Sequence, residues 1–146
     1  MLIRDIDPDQ ALLDLQRAAY AVEAELIGDD RIPPLHESLD ELLAEPLRWR
    51  GAFDDVGTCV GAVAWSETPE EIDIDRLVVH PRAHRRGIGR ALVAELLGRA
   101  AGRHVIVSTG RDNGPARTLY EKLGFTKVED VEVIPGLWTT RYEING

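Results

Sequence analysis

The sequence predicts an α/β fold: one domain with a mixed, mostly antiparallel central sheet of about six or seven strands, flanked by about four helices. Its 146 residues are a suitable length for one domain. Short runs rich in β-forming residues alternate with segments whose apolar residues recur every three or four positions, and the connections are short. Because there are no internal repeats and no low-complexity linker, we expect residues 1–146 to form a single domain.

The N-terminal half predicts one strand, two helices and a hairpin. After the strand LIRDI, Asp7 and Pro8 suit the N-cap and first position of a helix. A break containing two prolines precedes a short helix that Ser38 can cap. The β-rich runs 47–53 and 58–65 are separated by a polar turn ending in glycine, which predicts an antiparallel hairpin.

The C-terminal half predicts alternating strands and helices. The segment 72–79 begins with strict alternation of apolar and charged residues, as in a strand with two different faces. A helix follows over 88–101, with Gly102 as its C-terminal cap. The remaining elements are a strand over 104–109, a helix opened by Asn113 and Pro115, a β region from Phe125 and a strand over 138–144.

Composition and charge narrow the function classes. The chain is 44% hydrophobic and 29% charged, which is typical of a packed globular domain. Its 17 Lys and Arg against 26 Asp and Glu give a net charge of −9, which disfavours nucleic acid as a partner and favours cationic substrates. There is no long apolar run and no signal-peptide start, so we expect no membrane partner and a cytoplasmic location.

Cysteine and histidine usage predicts neither a disulfide nor a metal site. Cys59 is the only cysteine, and it lies in an apolar run that predicts a buried strand position. The four histidines are scattered without the spacing of metal ligands.

The positive charge is concentrated in one turn, residues 80–90, which holds four arginines and two histidines in eleven residues. This turn joins a predicted strand to a predicted helix, and a helix N-terminus offers free backbone amides to an anion. Gly87 and Gly89 would let phosphate oxygens approach closely. The P-loop and dinucleotide fingerprints do not match, while a purely structural helix start and a nucleic-acid patch remain alternatives, although the patch lacks interleaved aromatics.

Two segments in the same order resemble those of a known family. IDRLVVHPRAHRRGIGRALV, residues 74–93, resembles the acetyl-CoA-binding motif of the GNAT superfamily of N-acetyltransferases. That motif has Arg or Gln, two residues, Gly, one residue, then Gly or Ala; here His84 occupies the first position. NGPARTLYEKLGF, residues 113–125, resembles the second motif of the superfamily. The resemblance implies a GNAT-like single-domain fold and acetyl-CoA as acyl donor.

The resemblance also implies which residues bind the donor. The backbone amides of the turn would bind the pyrophosphate of CoA, and the preceding strand would pair with the pantetheine arm through an open edge. Asn113 and Ala116 would contact the same arm, although Asn113 is equally a helix cap. The implied turn residues are Arg85, Arg86, Gly87, Ile88, Gly89 and Arg90, and the implied strand residues are Leu77, Val78 and Val79.

Three residues are candidates for the chemistry. Tyr120 matches the tyrosine that protonates the departing thiolate in many members, and the alternative is an aromatic packed on its helix. Asp73 and Asp75 point to one face of a strand, and either could deprotonate the amine, directly or through water. A solvated strand face explains the two aspartates equally well.

The function implied by the resemblance is direct acetyl transfer from acetyl-CoA to a primary amine in a ternary complex, without a covalent acyl-enzyme. The acceptor is a small molecule or a peptide, and no signature in the sequence identifies it. A different function also fits: a catalytically degenerate sensor or complex subunit that binds acyl-CoA without transferring the acyl group. The resemblance further suggests a homodimer.

Overall fold

The structure is a computed structural model that describes residues 1–145, and it contains seven strands, four α-helices and two short 3-10 segments. The strands are β1 (Leu2–Asp5), β2 (Arg48–Phe53), β3 (Cys59–Glu67), β4 (Glu71–Val79), β5 (His104–Gly110), β6 (Thr126–Ile134) and β7 (Leu137–Asn145). The helices are α1 (Gln10–Ile27), α2 (Leu39–Ala44), α3 (Ile88–Gly98) and α4 (Gly114–Lys122), and the 3-10 segments are Pro33–His36 and Pro81–Ala83.

The seven strands form one sheet in the order β1-β2-β3-β4-β5-β7-β6. β4 and β5 are parallel, and the crossover between them contains α3. The other five neighbouring pairs are antiparallel. The predicted mixed, mostly antiparallel sheet with four helices is therefore confirmed.

The helices cover both faces of the sheet, and each face has its own apolar cluster. α1 and α2 bury Leu12 and Leu42 against one face. α3 and α4 bury Leu92, Leu96 and Tyr120 against the other. Burial of apolar side chains on both faces of a central sheet is what holds a three-layer α/β domain together.

β4 contains a bulge near its middle. Ala64 of β3 pairs with Arg76, and the next residue, Trp65, pairs with Ile74, so Asp75 is an extra residue in β4. Before the bulge Ile74 packs in the cluster under α3 and α4, and after it Leu77 does. The bulge therefore changes which of the alternating side chains face each layer.

Helix caps agree with the sequence in two cases. Ser38 forms a full capping box with Glu41, and the Asn113 side chain accepts from the amide of Ala116 at 3.2 Å, with Pro115 in the first turn. Both predicted helix starts are confirmed.

Two predicted helix ends are wrong. α1 is capped by Asp9, whose Oδ1 accepts from the Leu12 amide at 2.8 Å, and not by Asp7. The reason is that strand pairing continues past β1, since the Ile6 amide donates to the Trp49 carbonyl, and keeps the chain extended. α3 ends at Gly98, and Gly102 lies in the following turn with φ 83°.

Within residues 1–145 no helix has both the length and the apolar composition needed to cross a membrane.

Candidate active site

β4 and β5 pair over only part of their length and then separate. Residues 71–74 pair with 104–107, and beyond Ile74 and Val107 the two strands have no ladder pairs in the described residues. β5 continues to pair with β7 on its other side. The main-chain groups of β4 that face β5 are therefore open from Asp75 to Val79, which is the stretch that contains Leu77, Val78 and Val79.

The turn after β4 presents several amides in one place. Arg85 and Gly87 adopt left-handed backbone conformations, with φ 65° and φ 73°, and Gly87 is the residue before α3. Within residues 1–145 no side chain caps this helix start, and the first-turn amides of a helix have no intrahelical acceptor. Arg85, Arg86 and Arg90 are exposed around the turn. This arrangement suits a diphosphate, which fits both the free amides and the positive charge.

Glycine is favoured at two positions of the turn for different structural reasons. At Gly87 a Cβ atom would meet nothing within 4 Å, so it is the positive φ that favours glycine. At Gly89 a Cβ would lie 3.2 Å from Leu119 Cδ1 and 3.5 Å from Leu77 Cδ2. Gly89 therefore allows α3 to pack closely against α4 and β4, which differs from the predicted role of leaving room for phosphate oxygens.

A cleft of about 370 Å³, here called the central cleft, lies where β4 and β5 separate. Its walls come from β4, β5, α1, the 3-10 segment at Pro33, α4 and the β6–β7 hairpin. The lining includes the polar and aromatic residues Tyr20, Glu23, Asp75, Asn113, Tyr120 and Trp138.

Tyr120 lies on α4 with its side chain buried and reaching the central cleft. Its ring contacts Phe125 edge to face, with 5.4 Å between centroids. Burial, followed by the nearby Glu23 carboxylate, raises the pKa of Tyr120 well above its ordinary value. The phenol therefore keeps its proton at neutral pH, as a general acid must.

The two predicted aspartates differ in position. Asp75, at the bulge, lines the central cleft, and its Oδ2 accepts from Arg76 Nε at 2.9 Å. Asp73 is not among the residues that line the cleft. Burial, then the charges of Asp75 and Glu71, raises the pKa of Asp73. The structure therefore brings Asp75 and Tyr120 to one cleft and does not bring Asp73 into its lining.

A buried ion pair that no sequence pattern predicted lies beside the central cleft. Arg76 of β4 donates to both carboxylate oxygens of Glu37, at 2.6 and 3.1 Å, and to Gln16 Oε1 at 3.0 Å. All three residues are buried. This network ties the segment between α1 and α2 to β4. The available signal in the sequence was Arg76 itself, because the alternation of IDID places this charged residue where an apolar, inward-facing one is expected.

Asn113 and Glu23 connect α4 to α1 across the opening between the strands. Asn113 Nδ2 donates to Glu23 Oε1 at 3.0 Å while its Oδ1 caps α4. Glu23 is half-buried, and burial raises the pKa of its carboxyl. No local sequence pattern singles out Glu23, because its partner is 90 residues away in the chain.

Comparison with known families decides the assignment. The model of the acetyltransferase (GNAT) family matches residues 10–125. The chain belongs to the GNAT family. This confirms the resemblance drawn from residues 74–93 and 113–125.

Individual GNAT proteins and related chains are similar over most of this chain. UPF0157 protein YqkA of Bacillus subtilis is 37% identical over 127 residues, which cover 86% of this chain and 37% of YqkA. N-alpha-acetyltransferase RimI of Mycobacterium tuberculosis is 35% identical over 138 residues, which cover 91% of this chain and 81% of RimI. The chain thus spans little more than a third of YqkA.

A solved N-acetyltransferase structure has the same fold. The PaiA N-acetyltransferase of Thermoplasma acidophilum, crystallised with coenzyme A, superposes with a TM-score of 0.76 at 20% identity and covers 98% of both chains. The GNAT match ends at residue 125, so it includes β4, the turn and α4 and omits the β6–β7 hairpin. The part of the cleft wall formed by Trp138 therefore lies outside the family match.

Proposed function

We propose that this GNAT chain transfers an acetyl group from acetyl-CoA to a primary amine by direct attack in a ternary complex. One observation carries the proposal: the open edge of β4 leads from the amide-rich turn at 85–90 to the central cleft that contains Tyr120. A CoA thioester lying along that edge would have its diphosphate at one end and its acetyl group at the other.

In this proposal the donor is bound mainly by main-chain groups. The amides of residues 85–90 bind the diphosphate, and the three exposed arginines of the turn add positive charge. Leu77 to Val79 bind the pantetheine arm as an added strand would, and Asn113 and Ala116 face the arm from α4. The donor supplies a thioester that is activated toward an amine.

The chain's own residues then handle the protons. An ammonium has no lone pair, so a carboxylate at the cleft, or a water that it orients, is proposed to remove a proton, and the sequence offers Asp73 and Asp75 as candidates. Tyr120 donates its proton to the departing sulfur. A covalent acyl-enzyme is not needed, and Cys59 is unsuited to form one. Burial raises the pKa of its thiol, and the thiol lines a separate groove with His80.

The acceptor is proposed to be an amine on a small molecule or a peptide. RimI, 35% identical, is by its name an N-alpha-acetyltransferase, which favours a peptide N-terminus as the first acceptor to test. A single acetyltransferase domain, a cytoplasmic location and a homodimer belong to the same proposal and are based on the sequence alone.

Amine-dependent release of CoA tests the proposed function. The purified chain is incubated with acetyl-CoA and separate amines (a free N-terminal peptide, a lysine side chain, a polyamine and an aminoglycoside), and thiol release and acetylated product are measured. We expect one class to give product in proportion to enzyme. An acyl-CoA sensor would instead bind acetyl-CoA in calorimetry and release no CoA with any amine, which would contradict the proposal.

A further inference from the structure

Glu23 is a carboxylate inside the central cleft that is not neutralised by a cation. It reaches the cleft from α1, and its only side-chain hydrogen bond within residues 1–145 is the one from Asn113 to Oε1. No Lys, Arg or His of the described residues forms an ion pair with it. Partial burial of an unpaired carboxylate opposes folding, so such groups persist mainly where function requires them.

The β4 aspartates are less suited to receive a cation. Asp75 already has Arg76 Nε at 2.9 Å from its Oδ2, so a positive charge is in place beside it. Asp73 does not line the central cleft. Among these three carboxylates Glu23 alone combines a position in the cleft with the absence of a paired cation in the part of the chain that is described.

From this geometry, and resting on the acetyl transfer proposed above, we infer that Glu23 receives the ammonium group of the acceptor and takes its proton. Glu23 acts from α1 on one side of the cleft, and Tyr120 acts from α4 on the other. Asn113 then has a positioning role, because it holds the Oε1 of Glu23 and leaves the second carboxylate oxygen without a side-chain partner.

The groups around Glu23 support this role. Tyr20 faces it from α1, Tyr120 and Asn113 face it from α4, and the amide of Gly110 faces it from the end of β5. From β4, Asp75 and Arg76 act on the neighbouring Tyr20. The β6–β7 hairpin and the 3-10 segment at Pro33 add no titratable side chain to the described cleft lining. Burial raises the pKa of Glu23, toward the range in which a general base works at neutral pH.

The proton balance of the step is complete. The ammonium gives one proton to Glu23, and the amine nitrogen bonds to the acetyl carbon as the carbon–sulfur bond breaks with its electron pair on sulfur. Tyr120 gives its proton to that sulfur. The second amine proton restores the Tyr120 phenol, and the proton on Glu23 leaves to water. No further reactant is required.

Glu23→Gln tests the inference, with Glu25→Gln as matched control, because Glu25 is an exposed carboxylate on the same helix. The probes are acetyl-CoA and tetra-alanine amide, whose α-amino group has a pKa of about 8. At pH 6 we expect kcat/KM of Glu23→Gln to be at least about 100-fold below wild type. The deficit should shrink above about pH 8, where the free amine exists without a base. Glu25→Gln should match wild type throughout.

A deficit of constant size at every pH, or a wild-type rate at pH 6, would overturn the inference. So would a pH-dependent deficit that appears in Asp75→Asn instead of Glu23→Gln.

Peptide binding by calorimetry to CoA-saturated protein at pH 6 is the second measurement. Wild type should prefer the free-amine peptide over the N-acetylated peptide, and Glu23→Gln should lose that preference. An unchanged preference would count against Glu23. This measurement separates the two proposals. If only the proposed acetyl transfer were wrong, wild type would still prefer the free-amine peptide and Glu23→Gln would still lack that preference.

Discussion

The two sides of the central cleft are built from different kinds of groups. The donor side, meaning β4 from Leu77, the turn at 85–90 and α4, offers mainly backbone amides and an open strand edge. The acceptor side, meaning α1, the 3-10 segment at Pro33 and the β6–β7 hairpin, offers side chains. Backbone sites need only a chain conformation, so many sequences can form them, whereas the side chains opposite can change with the acceptor.

The largest effect on this comparison is expected from Tyr120→Phe. Loss of the hydroxyl removes the proton donor to sulfur, so kcat should fall about 10²- to 10⁴-fold. The affinity for acetyl-CoA and the melting temperature should change little, because the ring keeps its contact with Phe125. Steady-state CoA release measures kcat. Tyr142→Phe is the control, since the Tyr142 hydroxyl contacts Arg117 and Glu121. A wild-type kcat for Tyr120→Phe would show that Tyr120 is not the general acid.

Next in size is Arg76→Met, which breaks the buried ion pair between β4 and the segment that follows the 3-10 segment at Pro33. The substitution leaves the buried Glu37 carboxylate without its cation, which should lower the free energy of unfolding by about 3–5 kcal/mol. Arg48→Met removes an exposed pair with Glu67 and should cost less than about 1 kcal/mol. Urea unfolding compares the two variants. We also expect Arg76→Met to raise KM for the amine without changing the affinity for acetyl-CoA; the reverse pattern would contradict the division into two sides.

A smaller effect is expected from Gly87→Ala on the donor side. The φ of 73° is unfavourable for alanine, so the free energy of unfolding should fall by about 1–2 kcal/mol and acetyl-CoA should bind more weakly. Gly98→Ala, in the same helix and with open space around it, should stabilise the protein by up to about 1 kcal/mol and leave binding unchanged. Urea unfolding and calorimetry measure both quantities. Equal binding losses in the two variants would indicate a general effect on α3.

The smallest effect concerns pH. Burial alone would raise the pKa of Glu37, but hydrogen bonds from Arg76 and Gln16 lower it below its ordinary value of 4.5. Because the folded-state pKa lies below the unfolded one, the stabilisation is present above about pH 4.5 and is lost as pH falls through the folded value. Unfolding free energies of wild type and Glu37→Gln should therefore converge as pH is lowered from about 5 to 3. Parallel curves would show that the pair contributes no pH dependence.

The sequence predicted the donor side better than the acceptor side, for a physical reason. The turn with Gly87 and the cap formed by Asn113 depend on residues close together in the chain. Arg76 and Glu37 are 39 residues apart, and Glu23 and Asn113 are 90 apart, so folding alone brings these pairs together.

Predictions from neighbouring residues were also insufficient at two positions in the fold, the start of α1 and the middle of β4. The start of α1 was misplaced because β1 pairing holds Ile6 extended, a tertiary effect that outweighs the capping preference of Asp7. The strict alternation of IDID gave no sign that the strand pairing shifts at Asp75. The position of Asp75 in the cleft depends on that shift.

The extra residue in β4 determines which of its side chains face each layer. Before the extra residue, the even-numbered Ile72 and Ile74 pack in the layer under α3 and α4. After it, the odd-numbered Leu77 and Val79 pack in the same layer. Asp75 is the residue in excess, so its deletion would restore plain alternation, keep Leu77 toward α3 and Val78 toward α1, and remove the carboxylate that lines the central cleft. A homologue with one residue fewer in β4 should therefore keep both apolar layers and lack this carboxylate.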